Sequence, residues 1–462
     1  MFLNVNNLGP IRHGKVDLAK PLTVLTGPNH GGKTYLSTAI YALWSTLAYP
    51  SGLVSVTDRL LSAPDGRLRL SEFQPKFVAA LEEHVAQVVA RLPQTFAAPD
   101  GYFKETTLSL SGGDDWAQRS GRSTLAYIFH RENPFGVEFT ADYGSDELRV
   151  SERKLQQRKL PHIEVADSGF PSTLTADQRS EVVQRGAHAI WRLVEPPFLR
   201  GACYFVPAER ASLHLFAGEL ARGRFDLVEN AALAASSGPL FDRKTLDETS
   251  IYPAPIRDAL LREIGPHRAR KHGQFEDLAA ELEAGALFGQ VRPSERGSVA
   301  FFFHSAPAQP VPFHLVASVV KSLASIVMLL RNDARIGDLL IIDEPELNLH
   351  PKTQRAVVRV LAKAVNRGLK IILSTHSDFV VRELSQLVML SSERKTVRDA
   401  AETIGVSQES ALSADKLGVY IVGAGDVRPV PVSERGFGAE TLEDEIVRVN
   451  RDGELIYQAL DE

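Results

Sequence analysis

The chain has 462 residues, 44% of them hydrophobic and 24% charged, a globular composition with length enough for two or three structural units with full cores. A net charge of −5 excludes a broadly basic surface that coats nucleic acid. A single cysteine, Cys203, excludes an intrachain disulfide or a cysteine metal cluster, and with no long apolar run or export pattern a cytoplasmic location without membrane contact is expected.

Leu22, Val24 and Leu25 predict a short buried strand. KTYLSTAIYALWSTLAYP predicts a helix, with Leu36, Ile40, Leu43 and Leu47 recurring every three or four residues. Between them stands GPNHGGKT, a P-loop pattern in its strand, loop and helix setting. Gly27, Pro28, Asn29, His30, Gly31 and Gly32 are candidates for cradling phosphates through backbone N–H groups at a helix N-terminus. Lys33 is expected to reach the β- and γ-phosphates, and the Thr34 hydroxyl to ligate Mg2+.

Residues 49–99 and 211–290 read as polar and helical, and are expected to be helical insertions. The run VAALEEHVAQVVARL is too short to sustain several heptads, so no long coiled-coil arm is expected. Residues 100–210 mix strand-like and turn-rich runs and are expected to complete the P-loop domain with a β-rich subdomain. Glu209 and Arg210 close the strand in GACYFVPAER, either as a structural ion pair or as a subunit or nucleotide contact. Two basic clusters, Arg153–Lys159 and His267–His272, could touch nucleic acid or an acidic partner. Neither carries an interleaved aromatic residue, and in an acidic chain both read better as solvated loops, which leaves nucleic-acid binding open.

About 310 residues after the P-loop comes GDLLIIDEPELNLHP. Leu339 to Ile342 predict a central parallel strand, with Asp343 at its carboxyl end, where open α/β sheets place ligands. Asp343 can join the magnesium shell and Glu344 can polarise an attacking water. A helix is expected from Pro351 to Gly368, followed by a second buried strand, Ile371 to Leu373. His376 leaves that strand placed to bond a γ-phosphate or the attacking water.

The late acidic strand, with a histidine 33 positions after Asp343, resembles the order of the ABC/SMC superfamily, whose halves dimerise around two nucleotides. That resemblance implies a serine-bearing helix start touching the γ-phosphate held by the other subunit. HLVASVVKSLASIVMLLR stands at the matching distance, with Ser318 as the helix cap and trans phosphate contact and Lys321 as its helper. DEPELNLHP, STHSD, SVVKSLA and FVPAER together resemble the OLD-like branch of ABC-type ATPases, proteins frequently tied to phage defence. The opening NNLGPIRHGKVDLAKPLTVLTGPN, IYPAPIRD and LEDEIVRVN extend that likeness. It departs at His30, where small polar residues are common, and at Val319, where a second serine is common.

The resemblance implies an α/β ABC/SMC-type ATPase head with helical insertions: a P-loop sheet with flanking helices plus a β-subdomain. The head would comprise 1–48, 100–210 and 291–400, with 401–462 a C-terminal extension. It implies ATP and Mg2+, Lys33 and Thr34 on nucleotide and metal, Asp343 on metal, Glu344 as base and His376 as sensor. No Asp-x-Asp pair follows for a Toprim nuclease, so the acidic tail reads as a helix with Leu442, Ile446, Val449 and Leu455 on one side. Length and motif order are most similar to the ATPase subunit of PARIS systems. The implied protein is a homodimer or higher homo-oligomer with ATP at the interface, controlling a separate Toprim or HNH nuclease or toxin in answer to a phage trigger protein. An SMC-type DNA-repair ATPase is the alternative, and an ABC transporter motor a more distant one.

Overall fold

The computed structural model describes residues 1–46, 51–112, 122–129, 135–153, 175–216, 252–264, 273–293, 299–307, 309–438 and 440–460. Both basic clusters lie outside these residues, apart from the backbone of residue 153. The chain forms two compact units, one of residues 1–2, 43–90 and 108–200, the other of residues 3–42, 91–107 and 201–462.

In the first unit a four-stranded antiparallel sheet runs in the order Arg67–Arg69, Glu147–Arg153, Phe135–Asp142, Arg122–Phe129. The period of two puts Val137, Phe139 and Ala141 on one face, where all three are completely buried. The helix Ala176–Val194, opened by a capping box between Thr175 and Gln178, lies on that face. A side chain at Gly186 would stand 2.5 Å from Thr57 and 2.8 Å from Phe139, so glycine lets this helix approach both the helix Ser51–Ser62 and the sheet. Residues 108–200, which the sequence reading places in the P-loop domain as a β-rich subdomain, carry three of the four strands of this sheet. They pack with 43–90, because the strand Arg67–Arg69 finds its partner in Glu147–Arg149.

In the second unit the main sheet runs Phe2–Leu8, Ile11–Asp17, Asp426–Val430, Leu417–Gly423, Leu22–Thr26, Lys370–Ser374, Leu339–Asp343, Cys203–Val206. The last five are mutually parallel. Leu22–Thr26 and Leu339–Asp343 are buried at every position, as strands covered on both faces must be. Each fully buried leucine or isoleucine there contributes about 1.5–3 kcal/mol. The helix Pro351–Asn366 starts with proline in its first turn and stops before Gly368, whose φ of +97° suits only glycine. A smaller antiparallel sheet joins Gly289–Pro293, Val299–Phe303 and Pro310–Pro312.

The reading of 401–462 as an extension is corrected by the same sheet. LGVYIVG, buried along its whole length, pairs in parallel with Leu22–Thr26 and turns back as Asp426–Val430. The tail does form a helix, Glu440–Leu460, on which Val449 and Leu455 are more than half exposed. The side chains of Leu442 and Ile446 lie outside the description. Within 211–290 the described residues include the helices Ala254–Ile264 and Glu276–Leu282, before Gly289 opens a strand.

In the first unit His84 is buried, its Nε2–H donating to the Leu43 carbonyl at 2.8 Å while Nδ1 has no partner. Burial pushes its imidazole below the ordinary value. The unfolded chain takes up this proton near pH 6.5 and the folded one does not, so this stability is complete above about pH 6.5 and declines as pH falls. His84→Gln is expected to flatten the pH dependence of Tm between about pH 5 and 6.5, measured by thermal melts. An unchanged slope would assign that dependence elsewhere.

Candidate functional site

The P-loop strand Leu22–Thr26 ends in Gly27, and the next helix begins at Lys33. Gly27 and Gly32 adopt φ of +126° and +104°, and His30 takes φ of +63°. A side chain on Gly31 would come within 2.2 Å of the Val422 carbonyl, and one on Gly27 within 2.6 Å. The loop thus rests on the strand Leu417–Gly423, which requires glycine at both places. Within the loop the Gly31 N–H donates to the Pro28 carbonyl at 3.4 Å, closing a tight turn; glycine-rich turns of this kind bind anions where successive N–H groups converge.

Lys33 is buried and donates to the Gly27 and Pro28 carbonyls at 3.0 and 2.9 Å, with His376 Nδ1 at 3.5 Å. Burial lowers its amine pKa, opposed by the carboxylates of Asp343, Glu344 and Glu346. The Thr34 hydroxyl donates to Asp343 Oδ2 at 3.1 Å, and Ser374 donates to Asp343 Oδ1. The sequence-predicted Lys33, Thr34, Asp343, Glu344 and His376 are therefore together, although the P-loop and the acidic strand are 309 positions apart. His376 leaves a strand lying between those two, as the sequence reading expects of a neighbour of the acidic strand.

Glu344 stands at φ of +48°, a left-handed conformation that costs a non-glycine residue roughly 1–3 kcal/mol. Its N–H donates to the Ser374 carbonyl at 3.0 Å, and its Oε1 lies 3.7 Å from His376 Nε2. Burial, then Asp343 and Glu346, push its carboxyl above the ordinary range against the pull of Lys33 and Arg210, which suits a proton acceptor. Burial and the Lys33 cation hold His376 below its ordinary value.

The donor set can be tested against Mg2+. Thr34 and Asp343 present hard hydroxyl and carboxylate oxygens to each other, the ligand class magnesium prefers. Among the described residues no cluster of three or more acidic, histidine or cysteine side chains could hold a metal alone. One carboxylate and one hydroxyl fit an ion that takes its remaining ligands from phosphates and water.

Ser318 and Lys321 are not drawn into this cluster. The helix is Ser318–Met328, so Ser318 is its first residue and Ala317 occupies the cap position without a side-chain cap. Valine and alanine around it extend the chain into the helix without a competing polar cap, and Ser318 is solvent-exposed. Lys321 donates to the His314 carbonyl at 3.1 Å.

One residue escaped the sequence reading, and a second, Arg210, was placed by it in a different role. Glu346 accepts from the Thr375 hydroxyl at 2.8 Å and from the His376 N–H at 2.7 Å, while its Oε2 is buried with no partner. An acidic residue in the loop that follows a buried strand, three positions beyond Asp343, was its signal. Arg210 is neither an ion-pair partner of Glu209 nor exposed to a subunit. It is buried, and its five hydrogen bonds go to carbonyls of Ser322, Pro207, Asp343, Glu344 and Pro345. Burial lowers its pKa to about 10, which leaves it charged at neutral pH.

A protein-family profile described as "AAA domain, putative AbiEii toxin, Type IV TA system" matches residues 117–382, more than half of the chain. The matched span holds Arg210, Ser318, Asp343, Glu344 and His376 and begins after the P-loop. No curated protein matches. Among solved structures, the chain is similar to an SMC head bound to the C-winged helix domain of ScpA, at 11% identity and TM-score 0.31, covering 93% of this chain and 96% of that one. It is similar to the SMC head domain from Thermotoga maritima at 10% identity and TM-score 0.29, covering 94% and 98%. A Pyrococcus furiosus Smc head with an extended coiled coil, bound to the C-terminal domain of ScpA, shows 12% identity and TM-score 0.31, covering 97% and 98%.

Glu346→Ala is expected to release the His376 backbone and lower nucleotide turnover by about 10- to 100-fold while ATP affinity changes little. Steady-state kinetics beside equilibrium ATP titration checks this; turnover at the wild-type rate would exclude a role for the Glu346 bond.

Proposed function

The chain belongs to the AAA-domain family described as putative AbiEii toxin of type IV toxin–antitoxin systems, and from that premise we propose that it is an ATP-driven switch controlling a separate effector in phage defence. The observation that carries the ATPase reading is the meeting of Lys33, Thr34, Asp343, Glu344 and His376 at the ends of three adjacent parallel strands. The family description supports the defence reading, and the sequence likeness to the ATPase subunit of PARIS systems supports an effector encoded apart.

In this mechanism the Gly27–Gly32 loop binds the phosphates through its N–H groups, and Lys33 moves from the loop carbonyls to the β- and γ-phosphate oxygens. Thr34 and Asp343 would hold Mg2+, which would supply positive charge to offset that of the phosphates. Glu344 takes a proton from the attacking water, and its raised pKa strengthens it as a base. His376, held neutral by burial and by Lys33, steadies the γ-phosphate or that water. Ser318, exposed at the start of its helix, contacts the γ-phosphate held by a second copy. ATP then joins two subunits, and loss of the γ-phosphate lets them separate or rotate, the change an effector reads.

Glu344→Gln is expected to keep ATP affinity within about threefold and to lower turnover at least about 100-fold, accumulating an ATP-bound dimer seen by mass photometry. Wild-type turnover in that variant would remove Glu344 as the base. For the biology, the chain is to be affinity-purified after co-expression with its genomic neighbours. A stoichiometric nuclease or toxin, released on infection or altered by Lys33→Ala, is the expected result. A permease would indicate transport instead, and DNA without a protein partner would indicate repair.

A further inference from the structure

Arg210 is absent from the mechanism above, yet among the described residues it is the largest side chain that is almost wholly buried. A buried guanidinium is costly unless each of its N–H donors finds an acceptor. The acceptors here are backbone carbonyls on three different pieces of chain. Nη1 bonds Pro207 at 3.3 Å, in the turn that carries Arg210 itself, and Asp343 at 2.9 Å. Nη2 bonds Glu344 at 2.8 Å and Pro345 at 3.4 Å. Nε bonds Ser322 at 2.8 Å, in the helix that Ser318 begins, and Asn348 adds a second tie to that helix through the Ser322 hydroxyl at 3.4 Å.

The three consecutive carbonyls, Asp343 to Pro345, span the place where the backbone enters the left-handed conformation at Glu344. A non-glycine residue keeps such a conformation only where its surroundings over-determine it. The Glu344 N–H is held from one side by Ser374, and Arg210 holds the carbonyls from the other. Two side chains, Arg210 and Asn348, thereby tie this loop to the helix that begins at Ser318.

We infer that Arg210 is a positioning residue for ATP hydrolysis: its guanidinium fixes the backbone that aims the Glu344 carboxylate and anchors that loop to the Ser318 helix. The inference rests on the reading of Glu344 as the base. Arg210 directs its hydrogen bonds to backbone carbonyls, so its loss acts on turnover through Glu344 and leaves the Gly27–Thr34 loop intact. Lysine at this position keeps the charge but cannot span acceptors on three segments with the planar fork of arginine.

The test combines Arg210→Lys, Arg210→Ala and Glu344→Gln with the double variant R210K/E344Q. Folding is followed by circular dichroism, ATP affinity by equilibrium titration and turnover by single-turnover kinetics per folded molecule. Arg210→Lys is expected to fold, to bind ATP within about threefold of wild type, and to lose roughly 30- to 100-fold in turnover. In the double variant the Arg210 change is expected to cost almost nothing more, because the group it positions is gone. A purely structural role would lower Tm with turnover per folded molecule intact, and that result overturns the inference. So does a full multiplicative loss in the double variant, or a chain that folds with neither lysine nor alanine at 210. Wild-type turnover in Glu344→Gln alone marks the different failure, that of the base reading itself.

Discussion

The contacts among the P-loop, Asp343 and His376 depend on the parallel register of three buried strands. Leu25 lies opposite Ser374, and Ser374 lies opposite Asp343, so the carboxyl ends of the P-loop, histidine and acidic strands finish level. From that level the chain leaves as three loops, and their polar side chains converge: Thr34 and Ser374 both on Asp343, Lys33 toward His376. A slip of one residue in the strand Leu339–Asp343 would exchange its two buried faces and send Asp343 to the other side of the sheet. Complete burial of Leu339 to Ile342 and of Leu22 to Leu25 is what forbids the slip.

The same register concentrates charge. Asp343, Glu344 and Glu346 face two buried or half-buried cations, Lys33 and Arg210, in a space where each ionised group has lost part of its water. Lys33 is pulled down by burial and held up by the three carboxylates, while Glu344 is pushed up by burial and by its acidic neighbours. The two cations divide the work by geometry. Lys33 reaches its acceptors on a flexible stem and is free to exchange them for phosphate oxygens, whereas Arg210 is locked into backbone carbonyls. The first is suited to binding a ligand, the second to holding a loop.

Support for the P-loop comes from a part of the chain far from it in sequence. Gly27 and Gly31 press against the Val422 carbonyl, and the strand that carries Val422 pairs along the other edge of Leu22–Thr26. Both edges of the P-loop strand are therefore occupied by chain that follows it by more than 300 residues. The conformation of the Gly27–Gly32 loop depends on the closure of these long connections.

Local pattern alone determined much of this protein. Glycine spacing with a lysine and a threonine, an unbroken apolar run ending in Asp343 and Glu344, and a second run ending near His376 each announce their chemistry through residues adjacent in the chain. Helix limits at Pro351 and Gly368 were legible for the same reason, since backbone conformation there is a property of one or two residues. What the tertiary structure alone decided is partnership between distant segments. It put LGVYIVG beside the P-loop strand, although an apolar run does not say which strand it pairs with. It put residues 108–200 with 43–90, because a strand of three residues carries too little pattern to declare its partner. It placed Ser318 one position inside its helix and left it exposed. Arg210 and Glu346 acquire meaning only there, because each bonds groups that no spacing in the sequence connects to it: a guanidinium among carbonyls of three segments, and a carboxylate under the backbone of His376.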